Sequence, residues 1–167
     1  MKSIIEEIGG DVFCLLVDES ADVSGKEQMA VVVRYVDKLG VIKERLIGIV
    51  HVKETSASCL KSNIDNLFAK YGLSLKQVRG QGYDGASNMR GEFNGLRALI
   101  LRENSSAYYI HCFAHQLQLV LVAVAKKNDD ASDFFDMTSL LISMVGASCK
   151  QKDMIREKQQ ERIRKEL

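Results

Sequence analysis

A chain of 167 residues is long enough for one domain with a sizeable core, and 46% apolar with 27% charged residues is the composition of an ordinary globular protein. A net charge of +1 rules out recognition of nucleic acid through bulk charge, so such a partner must be read from local features. The first seven residues lack the apolar core of a secretory signal, and the longest apolar run, Leu119–Ala125, is far too short to span a bilayer, so an intracellular chain without membrane contact is expected. Cys14, Cys59, Cys112 and Cys149 form no CxxC pair, and reduced, mostly buried thiols are expected.

In chain order, Asp11–Val17 is almost wholly apolar and predicts a strand buried on both faces, ending in the acidic loop Asp18–Asp22. Met29–Val36 and Glu44–Val52 are rich in β-branched residues and predict two more strands. The short connections imply an antiparallel meander. The period then changes: Leu60, Ile64, Leu67, Phe68 and Tyr71 share a helical face, with Ser56 or Ser58 to cap its start and Gly72 to close its end. A fourth strand near Val78 follows, then a glycine turn around Asp84. From Ala86 on, Met89, Phe93, Leu96 and Ile100 recur at helical spacing, predicting a helix over about 90–105. Ala107–His111 predicts a fifth strand, and Phe113–Lys126 a strongly apolar, buried helix.

Composition shifts after Lys126. The acidic stretch 128–133 predicts a break, so the core is assigned to residues 1–127 and a separate helical region to 128–167. Phe134–Val145 predicts an apolar helix and Gln151–Leu167 a solvated, charge-dense one, whose Lys and Arg excess is only a weak sign of phosphate contact.

The stretch Val78–Gly91 carries the chemistry. Asp84 lies between Gly82 and Gly85 at the mouth of a strand, where open α/β sheets place ligands. The glycines allow either a positive φ or a close approach by another group. Asp84 taken alone is most simply a helix cap. A second carboxylate changes that reading. If the fourth strand lies parallel and next to the first, Asp18 and Asp84 end neighbouring strands about 4.8 Å apart. Two carboxylates so close repel, and a divalent cation, Mg²⁺ or Mn²⁺, relieves the repulsion. Asn88, in the first turn of the next helix, is placed to bond the turn or the Asp84 carboxylate.

Three blocks, FCLLVDESADVSGKEQMAVVVRYVD (13–37), GQGYDGASNMRGEFNGL (80–96) and HCFAHQLQLVL (111–121), occur in order and cover most of residues 11–126. Together they resemble the catalytic region of hAT-superfamily transposases, especially the transposase-derived proteins related to MYM-type zinc-finger proteins. The resemblance implies a ribonuclease-H-like α/β fold: a mixed sheet with strands one to three antiparallel, strands four and five parallel, flanking helices, then the start of a helical insertion. It implies a DDE-type metal site for DNA strand cleavage and transfer, with Asp18 and Asp84 as the first two acids. Cys112 and His115 match the family's Cys-x-x-His pair, implying a role beside the active site or at the DNA end rather than a zinc site. A buried Cys and a satisfied His at a helix start are the plain alternative.

Two departures matter. No residue here matches the third acid; Glu92 and Glu103 follow Asp84 but neither fits its position. The family's DNA-binding finger and dimerisation region are not matched, so any homo-oligomer is expected through regions beyond these blocks. The expectation is part of a nuclear, DNA-binding transposase core, inactive as this chain alone. The alternative is a domesticated, non-catalytic nuclear protein that binds DNA or protein. A small α/β domain using Asp18 and Asp84 only as caps is the third possibility.

Overall fold

The computed structural model describes residues 2–22 and 24–166, without the side chains of residues 149–151 and 166. It divides into two compact units, residues 1–116 and 117–167, where composition alone places the boundary at 127/128.

The first unit runs α1 (Lys2–Ile8), β1 (Phe13–Ala21), β2 (Glu27–Val36), β3 (Ile42–His51), α2 (Ala57–Tyr71), a 3₁₀ turn (Leu75–Gln77), β4 (Val78–Tyr83), α3 (Ser87–Arg90), α4 (Leu96–Glu103) and β5 (Tyr108–His111). The sheet order is β3-β2-β1-β4-β5. β1–β2 and β2–β3 pair antiparallel; β1–β4 and β4–β5 pair parallel. This is the mixed, ribonuclease-H-like sheet expected.

Both hairpins use one local device, an Asp with a Gly three residues on. Asp22 Oδ1 accepts from the Ser24 and Lys26 N–H groups at 2.7 and 3.0 Å. Asp37 Oδ1 accepts from those of Leu39 and Val41, each at 2.9 Å. Gly25 and Gly40 take φ of 76° and 80°, the left-handed region where a Cβ is costly. α2 begins and ends as its sequence dictates. The Ser56 side chain accepts from the Cys59 N–H, and Gly72 closes the helix at φ 70°.

One face of the sheet carries the core. Phe13, Leu15 and Val17 of β1 and Met29, Val31 and Val33 of β2 join Leu60, Ile64 and Phe68 of α2 and Leu96 and Ile100 of α4 in one buried cluster. β1 was expected to be buried on both faces. Instead burial alternates along it, with Cys14 and Leu16 only half-buried, because these helices cover one side. Nor does β1 end at Asp18. Asp18 through Ala21 pair with Ala30 through Glu27, and ladder pairing overrides their polar composition.

The helix expected over 90–105 is two helices. An ideal Cβ on Gly91 would lie 2.5 Å from the Ser87 carbonyl oxygen, and one on Gly95 2.7 Å from that of Gly91. The chain turns back on itself between these glycines, ending α3 and starting α4 afresh. Phe93 falls in that turn and is 74% exposed, whereas Met89, Leu96 and Ile100 are buried.

α5 (Phe113–Ala125) leaves the first unit and enters the second, which also holds α6 (Asp129–Ala147) and α7 (Cys149–Glu166). The acidic stretch expected as a break is the start of α6. Asn128 caps it through the Ala131 N–H, and Asp129 and Asp130 in the first turn oppose the positive end of the helix dipole. α5 was expected to be buried, yet no residue of it is. Phe113, Leu117, Leu119, Val120, Leu121 and Val124 are all exposed on it. α7 is exposed along its described length, as its charge density implies. Buried thiols were also expected; Cys14 and Cys59 are half-buried and Cys112 is exposed. No helix among the described residues is long and apolar enough to cross a membrane.

Candidate active site at the tips of the parallel strands

The parallel ladder of β1 and β4 pairs Cys14 with Gly80, Leu15 with Gln81 and Leu16 with Gly82. That ladder ends two residues before Asp18 and Asp84. On β1, alternation puts Asp18 on the face of Cys14 and Leu16. There an ideal Cβ on Gly80 would lie 2.9 Å from Cys14 Sγ, and one on Gly82 2.9 Å from Leu16 Cδ2. This explains the glycines of β4: side chains of β1 lie over them. The positive φ considered for Gly82 and Gly85 is not found at either.

Asp18 is exposed and Asp84 half-buried. Asp84 Oδ1 accepts from the Ala86 N–H at 3.1 Å, the local bond of a capping aspartate. No hydrogen bond is made by its other oxygen among the described residues. Its backbone carbonyl is held from β5 by the Tyr109 hydroxyl, which donates at 2.8 Å.

Cys112 stands beside Asp84. Its N–H donates to the Tyr83 carbonyl at 3.0 Å, carrying the β4–β5 ladder one step past the pairing of Tyr83 with His111. His115, in the first turn of α5, lies against the ring of His111 with centroids 5.3 Å apart. His111 escaped notice in the sequence. Its ring occupies the space that a side chain on Gly85 would fill, Cε1 and Nε2 each lying 3.2 Å from that Cβ position, and its Nε2 is buried with no hydrogen-bond partner. The pairing of a glycine with a histidine 26 residues on carries no periodic signal in the chain.

Asn88 reaches neither the turn nor the Asp84 carboxylate. Its Nδ2 donates to Glu19 Oε2 at 3.1 Å and to the Thr55 carbonyl at 2.8 Å. Glu19 was also missed, because the stretch that holds it reads as a loop. As the residue after Asp18 on a strand, it turns toward the opposite, core-facing side. Burial pushes its carboxyl up from the ordinary range; the Asn88 bond works against this, and the charges of Glu27, Asp84 and Asp18 add to it. Glu19 therefore sits within the field of both aspartates.

The strand beneath is held by buried side-chain bonds. Gln81, 1% exposed, donates through Nε2 to the Ala107 carbonyl at 2.7 Å and accepts from the hydroxyl of buried Tyr83. Glu103, passed over as a third acid, pairs with Lys61 at 2.6 Å and ties α4 to α2. Glu92 is exposed in the turn between α3 and α4.

Carboxylates are hard oxygen donors of the kind that suits Mg²⁺ or Mn²⁺, which keep several waters and accept phosphate oxygens. Two of them would supply only part of a coordination sphere. Among the described residues no three His, Cys, Asp or Glu side chains are grouped to hold an ion by themselves.

The family model described as DUF4371: ZMYM1/FAM200, RNase-like domain, matches residues 1–95, more than half of the chain. The chain is also similar to the human protein named 52 kDa repressor of the inhibitor of the protein kinase, 27% identical over 110 residues, or 65% of this chain and 14% of that protein. Its mouse counterpart is 24% identical over 100 residues, 60% of this chain and 13% of that protein. The chain thus spans about a seventh of the length of these relatives.

Proposed function

The chain belongs to the ZMYM1/FAM200 RNase-like domain family, and from that premise we propose that its sheet is the metal-binding part of a DNA-processing core descended from an hAT-type transposase. Asp18 and Asp84 hold Mg²⁺ or Mn²⁺ in this reading, and Cys112 and His115 flank the site where a DNA end lies. The observation that carries it is the parallel pairing of β1 and β4, whose ladder ends two residues before both aspartates. Bound there, the ion supplies Lewis acidity for a phosphodiester: it lowers the pKa of an attacking oxygen and stabilises a leaving one. The chain's own contribution is to hold Asp18 within β1 and Asp84 just past the end of β4, where the Tyr109 bond fixes the Asp84 carbonyl.

Among the described residues no third His, Cys, Asp or Glu joins the pair to complete a metal site, and in this reading the chain alone holds the ion without cutting. A second reading has independent support. The human and mouse relatives are named as repressors, which favours a nuclear, non-catalytic DNA- or protein-binding role for the intact protein.

Calorimetric titration with Mn²⁺ tests the metal site. Binding is expected for the wild-type chain and lost in Asp18→Asn/Asp84→Asn; a titration without heat in the wild type, or unchanged in the double variant, refutes it. Nicking of DNA by the full-length gene product separates the two roles. Mn²⁺-dependent nicking abolished by Asp84→Asn establishes the enzyme, and DNA retention without nicking establishes the repressor-like role.

A further inference from the structure

The parallel ladder of β1 and β4 stops short of the two aspartates: its last pair is Leu16 with Gly82, two residues before Asp18 and Asp84. Beyond that point β1 keeps its pairing with β2, through Ala21 and Glu27, while β4 ends at Tyr83. Some side-chain contact has to span the gap if the carboxylates are to keep a fixed spacing. Among the described residues, Asn88 Nδ2 makes that span. It donates to Glu19 Oε2 at the tip of β1 and to the Thr55 carbonyl before α2, while Asn88 itself sits on α3, directly after the Asp84 turn. One amide nitrogen thus joins three segments that are far apart in the chain.

We propose that Glu19 and Asn88 are positioning residues for the carboxylate pair, a clamp that sets the separation of Asp18 and Asp84 where the backbone ladder has ended. The proposal rests on the metal reading above. Glu19 acts through Asn88 and is not a ligand.

A side chain retained only for stability makes a poor fit here. Glu19 Oε1 is buried with no hydrogen-bond partner, an arrangement that destabilises a fold. Its charge also lies among Glu27, Asp84 and Asp18. What the position offers in return is an acceptor for Asn88, and an acceptor does not need a negative charge. Groups that orient metal ligands from behind change metal affinity by about 10–100-fold when removed.

The test is Mn²⁺ affinity of the full chain by calorimetry in four forms: wild type, Asn88→Ala, Glu19→Ala and Glu19→Gln. Glutamine keeps the oxygen that Asn88 donates to and removes the charge. Asn88→Ala and Glu19→Ala are expected to weaken Mn²⁺ binding by about tenfold or more, and Glu19→Gln to bind within about twofold of wild type. A Glu19→Gln chain as weak as Glu19→Ala overturns the proposal, because it makes Glu19 a ligand; an Asn88→Ala chain that binds like wild type also overturns it. Amide exchange without metal supplies an independent readout. Asn88→Ala and Glu19→Ala should speed exchange over residues 84–90, Glu19→Gln should leave it at the wild-type rate, and unchanged exchange in the alanine variants sinks the clamp. Should wild type bind no Mn²⁺, the metal reading falls and exchange alone decides whether the clamp exists.

Discussion

Replacing Gln81 by leucine tests whether a buried amide network holds β4 in place beneath Asp84. Gln81 is 1% exposed, and its side chain makes two close bonds: Nε2 to the Ala107 carbonyl at 2.7 Å and Oε1 from the Tyr83 hydroxyl. Leucine is similar in volume and keeps the apolar packing. It leaves the Tyr83 hydroxyl, on a side chain 1% exposed, and the Ala107 carbonyl, in a residue that is fully buried, without these partners. An orphaned buried group costs about 1–3 kcal/mol, so two give about 2–6 kcal/mol, reduced by what leucine gains in burial. Tyr83→Phe orphans only the Gln81 oxygen, about 1–2 kcal/mol. In the double variant the two losses overlap, and a coupling of about 1 kcal/mol or more is expected. Urea unfolding followed by tyrosine fluorescence suits the purpose: the chain has no tryptophan, and its five tyrosines all lie between residues 35 and 109, so the signal comes from the sheet unit. A Gln81→Leu midpoint within error of wild type, or strictly additive single variants, would show that the network does not hold the strand.

Other outcomes follow from the glycines and the carboxylates. Gly95→Ala drives a Cβ to 2.7 Å from a backbone oxygen and should cost about 1–3 kcal/mol or more, whereas Gly82→Ala meets only the end of Leu16 and should be milder; equal thermal midpoints for the two variants would contradict this. Glu19 binds its proton more tightly folded than unfolded, chiefly through burial, so the native state loses stability as pH rises above the ordinary glutamate value of 4.5. Glu19→Gln should therefore raise the neutral-pH melting temperature and flatten its fall above that value, and a lowered midpoint would count against the burial seen here. Asp22 runs the opposite way. The Ser24 hydroxyl first, then the Lys26 N–H, hold its carboxyl well below the ordinary range, so its contribution is present above pH 3.8 and is lost as pH falls below that value. Asp22→Ala should lower the melting temperature at neutral pH but much less at pH 2, and an equal loss at both would rule out this linkage.

Much of the fold was legible along the chain because it rests on local rules. The change from β-branched runs to the spacing of Leu60, Ile64 and Phe68 located α2, and Ser56 and Gly72 marked its ends, since capping depends on the residues immediately around a helix terminus. Short connections between the first three strands dictated a meander. The crossover rule then set the fourth strand parallel to one of them, and the sheet order puts it beside the first.

What the chain could not show is whatever depends on which distant groups meet. Asp18–Ala21 has the composition of a loop, yet it is strand because β2 lies alongside to pair it. The glycines at 80, 82 and 85 suit a left-handed turn equally well. Only the structure shows Cys14, Leu16 and His111 occupying the space a side chain would need. Asn88 could bond several nearby acceptors, and its choice of Glu19 and Thr55 was decided by packing between residues 69 and 33 positions away in the chain. Residue types and their periodicity are properties of the chain itself, whereas a hydrogen-bond partner or a steric limit is a property of two surfaces brought together, and so appears only in the folded molecule.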